Sequence, residues 1–181
     1  MPHDFLELYR FHARYNRWIN ERMYAACEQL SDDERKQDRG AFFGSIHRTL
    51  NHIVVTDQIW LRRFARSGAD NGLRFEMLEG DLIEVPEAYE LDMVPFDDWA
   101  ALKTKRAQLD DAIERWTVVM PADYPQMMMG YSNSKGTRRD HPAWQAMTHL
   151  FNHQTHHRSQ VITLLTQTGV DIGVTDMLAL M

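Results

Sequence analysis

The chain has a single cysteine, Cys27, in 181 residues. No disulfide can form within it, and the reducing cytoplasm is the expected compartment. Cys27 lies in the helical stretch Met23-Tyr24-Ala25-Ala26-Cys27 and reads as a small core residue. No apolar run approaches the ~18 residues that a membrane span needs. Met1-Pro2-His3-Asp4 lacks the basic and apolar regions of a signal peptide. Glycine and proline are sparse, 9 and 6, which disfavours disordered and fibrous classes. Lys and Arg number 20 against 26 Asp and Glu, for a net charge of −6. Such a balance, without a basic groove, argues against nucleic acid and anionic membranes as partners. Arg62-Arg63 and Arg138-Arg139 are the notable basic clusters, and solvated faces account for both. Also missing are a Gly-rich phosphate loop, an HExxH pair and a Ser-His-Asp arrangement.

With 44% hydrophobic and 25% charged residues, the chain reads as one globular domain over 1–181, large enough to bury a core without staples. Phe5, Tyr9, His12, Asn16, Ile19, Met23, Ala26 and Leu30 recur at three- and four-residue spacing and predict a helix over 3–30. Ser31-Asp32-Asp33-Glu34 and Gly40 mark a connection. Ser45 is a plausible N-cap for a second helix to about Arg66, which Ser67 to Gly72 would end. Residues 73–95, with Pro86 and Pro95, carry no period and predict a long crossover. Asp97-Asp98 opens a third helix to about Val119. Within 121–141, Asn133-Ser134-Lys135-Gly136 lies between two short extended pieces and suggests a hairpin. Pro142 starts and Gly169 stops a fourth helix. The expected fold is all-α, a four-helix bundle with a long crossover between helices two and three and a small hairpin before helix four.

Histidine is abundant: nine in all, four of them between 149 and 157. His153 and His157 are four residues apart, so on a helix they share a face and can converge on one ion. They interrupt the apolar stripe Ala146, Leu150, Val161, Leu164, whereas His149 and His156 project toward the other flank. A pair cannot complete a site, and a facing helix must supply the rest. His52, mid-helix and within an Asn-His pair echoed by Asn152-His153, is the first choice. His12 is the competitor, as a fourth ligand, a supporting group or a core histidine. Asp57, five residues beyond His52, could orient an imidazole, and His12 or Asp57 could transfer protons. Asn16, Thr56, Gln154 and Gln160 could line an open coordination position. Three neutral imidazoles without a thiolate favour one divalent transition metal, zinc or nickel first and then iron or copper, over calcium or magnesium. Each histidine also has the ordinary reading of a hydrogen-bonded core residue.

Leu50-Asn51-His52 through Asp57-Gln58-Ile59-Trp60-Leu61 and Phe151-Asn152-His153 through His157-Arg158-Ser159-Gln160-Val161 resemble the DinB (damage-inducible) family. Tyr15-Asn16-Arg17-Trp18-Ile19-Asn20 is similar to that family's first helix. The resemblance implies His52, His153 and His157 as a metal triad, an up-and-down-like bundle with one long crossover, and often a homodimer. Ser159 stands where Gly is common, and the 121–141 insertion is long. The family's relatives include thiol-dependent isomerases and S-transferases, so the resemblance favours a low-molecular-weight thiol as partner of a small-molecule substrate. A metal-dependent hydrolase is the other catalytic expectation. A non-catalytic, stress-associated metal-binding or scaffolding protein is the alternative class.

Overall fold

The structure is a computed structural model that describes residues 5–86, 89–133 and 135–180. It is mostly helical: α1 (Phe5–Cys27), α2 (Asp32–Lys36), α3 (Ile46–Asp70), α4 (Trp99–Val119) and α5 (Ala143–Gln167), with one two-stranded sheet of β1 (Met128–Ser132) and β2 (Arg138–Pro142). No helix among the described residues is long and apolar enough to cross a membrane.

Local chemistry sets the helix ends. Ser45 accepts from the Arg48 amide and Asp98 from the Ala101 amide, each satisfying an amide that the first turn leaves open. α2 lies where a plain connection was expected. Ser31 and Glu34 form a reciprocal capping box there, and the S-x-x-E spacing was its sequence signal. α3 also runs past the predicted stop, because Gly68 is packed rather than turned. A Cβ on Gly68 would come within 2.7 Å of the buried Phe75 ring. The helix ends instead at Asn71 and Gly72, whose φ of 75° suits glycine.

Side-chain pairs give the helix directions. Arg10 reaches Thr117 while Glu28 meets Lys103, so α1 and α4 are antiparallel. Tyr9 reaches Trp144 and Asn16 meets Arg158, so α1 and α5 are parallel. His52 meets His157 and Trp60 meets His149, so α3 and α5 are antiparallel. Asp57 meets Arg106 and Phe64 stacks on Trp116, so α3 and α4 are parallel. The crossover makes that last pairing possible by running back along α3. Gln58 donates to the Leu82 and Glu84 carbonyls, Arg62 to Val85, and Asn51 exchanges two bonds with Phe96.

The core runs the length of this assembly. Its largest members include Trp116, Tyr9, Tyr124, Phe64 and Ile19, each under 2% exposed. Phe64, Trp116, Phe75 and Tyr124 pack with centroids 4.6–6.2 Å apart, and such pairs add about 0.5–1.5 kcal/mol each beyond area burial. Cys27 is fully buried, and burial pushes its thiol up to about 12. The tail docks on α1, where Tyr15 and Arg22 donate to the Thr175 and Ile172 carbonyls.

β1 and β2 pair antiparallel from Met128 opposite Pro142 to Ser132 opposite Arg138. Within the expected turn, Ser134 lies outside the described residues. Asn133 organises the rest, its side chain accepting from the Lys135 and Thr137 amides. Met127 accepts from the Ala143 amide at the start of α5, Met129 is buried, and Met128 is exposed.

Candidate metal centre

His52, His153 and His157 meet where α3 faces α5. His52 Nε2 is 3.3 Å from His153 Nε2 and 3.2 Å from His157 Nε2. Two tautomers are fixed from behind. His52 Nδ1 donates to the Leu91 carbonyl at 2.7 Å, and His157 Nδ1 donates to Gln160 Oε1 at 2.8 Å. A carbonyl only accepts, so each Nδ1 carries the proton and each neutral Nε2 presents a lone pair. His153 Nδ1 is buried without a hydrogen-bond partner.

Burial keeps all three rings neutral. It pushes His52 down to about 4 against a bond to Leu91 that favours the charged form. It pushes His153 down to about 3, helped by the imidazoles of His157, His52, His149 and His156, and lowers His157 as well. Between His52 and His157 the facing lone pairs repel and have no proton to share. A cation resolves that conflict. Donors about 2.0–2.1 Å from one tetrahedral ion would stand roughly 3.3 Å apart, so the spacing of this nitrogen set fits a small divalent transition metal.

The surroundings shape access. Phe43 is buried and stacks on His52 with centroids 4.0 Å apart, and it tilts against His157 at 5.5 Å. His149 lies beside His153 at 5.6 Å and beside Trp60 at 5.0 Å, and His156 lies 4.7 Å from His157. Asn51 braces the crossover through Phe96, which holds the Leu91 carbonyl near His52. Asn152 is exposed, so the two Asn-His pairs are alike in sequence only.

The other residues singled out from sequence lie elsewhere. His12 stacks on Phe151 at 5.2 Å and is not in the histidine group, and burial lowers its pKa. Asp57 is fully buried, paired with Arg106 and accepting from Gln154 at 2.7 Å, so it orients no imidazole. Asn16 bonds Asp110 and Arg158, Gln154 bonds Asp57 and Arg158, and the Thr56 hydroxyl turns back to the His52 carbonyl. Of the four expected polar lining residues, Gln160 alone bonds a triad imidazole. Sequence reasoning missed Phe43 and the Leu91 carbonyl. An aromatic pair, Phe42-Phe43, inside a polar turn was the one signal for the former.

Comparison with known proteins identifies the family. The sequence profile of the DinB family matches residues 5–181. The chain is 24% identical over 162 residues to "Protein DinB" of Bacillus subtilis (strain 168), covering 90% of this chain and 87% of that protein. No solved structure matches at a significant level. With a profile match over nearly its whole length, the chain belongs to the DinB family.

Proposed function

We propose that the protein is a metal-dependent enzyme. In this reading His52, His153 and His157 hold one divalent transition metal, zinc or nickel first, and a low-molecular-weight thiol takes part in S-transfer or isomerisation of a small molecule. The observation that carries the reading is the convergence of three Nε2 atoms with no fourth His, Cys, Asp or Glu in the group among the described residues. Three protein donors leave a position for substrate, as catalytic centres do and closed structural ones do not. That also weighs against the non-catalytic, stress-associated alternative. A metal bound there supplies Lewis acidity, lowering the pKa of a thiol or of water at the open position. Hydrolysis is therefore the second chemistry that the same donors allow.

The chain's own residues do the remaining work. Leu91 and Gln160 hold His52 and His157 in the ligating tautomer. Phe43 shields one side of the triad from water. Asp57 is committed to Arg106 and His12 to Phe151, so proton transfer falls to the exposed His149 and His156 beside the triad. We read the architecture as a single-domain four-helix bundle acting in the cytoplasm as a homodimer. Light scattering on purified protein checks the dimer.

Cobalt substitution tests the function. Titrating cobalt-loaded protein with a thiol such as cysteine should produce a sulfur-to-metal charge-transfer absorption in wild type and none in His153→Ala. Cobalt-loaded wild type without that absorption would remove the thiol branch and leave hydrolysis to be assayed.

A further inference from the structure

The two basic clusters that read as solvated faces come together in space. Arg62, Arg63 and Arg66 of α3 and Arg138 of β2 line one cleft of about 760 Å³ with Tyr89 and Tyr131. Arg138 is paired with Asp140. Among the described residues the three α3 arginines make no ion pair, and Asp70 is the acidic residue lining the cleft. This concentration of positive charge occurs in a chain whose net charge is −6.

The cleft holds its arginines in place. The Arg63 guanidinium lies over the rings of Trp60 (4.6 Å) and Tyr131 (4.3 Å) and donates to the Ser132 carbonyl. Arg62 donates one bond to the Val85 carbonyl at 3.0 Å. A guanidinium has five N–H donors, so both keep donors for a ligand, and Arg66 is exposed. Burial, with Arg62 adding to it, lowers the pKa of Arg63. An anion in the cleft would relieve that strain among like charges.

The cleft also adjoins a hollow that reaches His149, a neighbour of the triad. That hollow of about 320 Å³ shares Arg63, Tyr131 and Asn133 with the cleft and ends on Trp60 and His149. His149 touches His153. Eleven residues separate His52 from Arg63, three turns that return to nearly the same helix face, about 16 Å along the axis.

We infer that the substrate of the histidine centre is an elongated organic anion, and that Arg62, Arg63 and Arg66 hold its carboxylate or phosphate while its reactive end reaches the triad past His149. The cleft is thus the specificity end of the site, and the inference rests on the triad being a metal centre.

Inorganic phosphate and succinate are the probes, titrated by NMR into wild type, Arg62→Gln/Arg66→Gln, Arg66→Gln, Arg115→Gln and His153→Ala. Saturable binding is expected in wild type and unchanged in the exposed α4 control Arg115→Gln. Loss of two charged hydrogen bonds should weaken it at least about tenfold in the double variant. The single exposed change Arg66→Gln, which leaves Val85 anchored, should weaken it in the same direction. His153→Ala should bind the probes as wild type does, so arginine-dependent binding there survives even if wild type proves metal-free. No saturable binding, or binding indifferent to the arginines, overturns the cleft. In cobalt-loaded wild type the phosphorus signal of bound phosphate should move by a pseudocontact shift. A phosphate-binding, cobalt-loaded protein without that shift overturns the link between cleft and triad.

Discussion

At Asp57 the space between the helices is filled with balanced charge; at His52, about 7.5 Å earlier along α3, it is filled with facing lone pairs. Around Asp57, two aspartates and two arginines are buried, each at most 3% exposed. Arg106 lies between Asp57 and Asp110, Asn16 and Asn20 donate to Asp110, and Arg158 donates to Gln154 and Asn16. The charges there answer one another and tie α1, α3, α4 and α5 into one arrangement. Around His52, two tautomers are fixed so that acceptors meet acceptors. Both regions are polar and interior, and the difference lies in complementarity. A polar core whose opposite charges pair holds a fold together, whereas one that turns acceptors on one another is built for a visitor.

The largest effect should come from opening the closed region. Arg106→Met leaves Asp57 and Asp110 buried without their counter-charge and should cost about 3–5 kcal/mol in urea unfolding. The metal content of its folded fraction should stay at the wild-type level. A variant that kept its stability and lost metal would reverse the roles assigned to the two regions.

Acid should act on the open region. His52 and His153 titrate near 6.5 when unfolded, and burial holds them at about 4 and about 3 when folded. Because these folded values are lowered, the stability they contribute is complete above pH 6.5 and declines as pH falls toward 4. Metal-free wild type should therefore show a lower urea midpoint at pH 5 than at pH 7.5, and His52→Ala/His153→Ala a flatter dependence. Equal slopes would show that other groups carry the acid response.

The smallest change sharpens the contrast. Gln160→Ala removes the acceptor behind His157 and should weaken metal binding about 10–100-fold. Urea stability of the metal-free protein should hardly move, because Gln160 is at the edge of the core.

Periodicity made α1, α3, α4 and α5 legible, because their apolar residues repeat and Ser45, Asp98 and Gly169 punctuate them. The i,i+4 spacing made the juxtaposition of His153 and His157 legible too, because helix geometry fixes it locally. What stayed hidden comes from distant chain. The Leu91 carbonyl is a backbone group 39 residues beyond His52, and nothing in the identity of Leu91 announces it. Arg106, Asp110 and Arg158 look like surface residues until their burial is seen. Arg62 and Arg63 looked solvated for the same reason, since the hairpin and the crossover that wall their cleft have no periodic signal.

The most direct measurement is metal content by mass spectrometry of untagged protein, for wild type, His52→Ala and His153→Ala. Near one divalent transition metal per chain is expected in wild type, lost in both variants while their folded helical signal persists. A metal-free wild type, or metal retained in both variants, would contradict a metal centre at the triad.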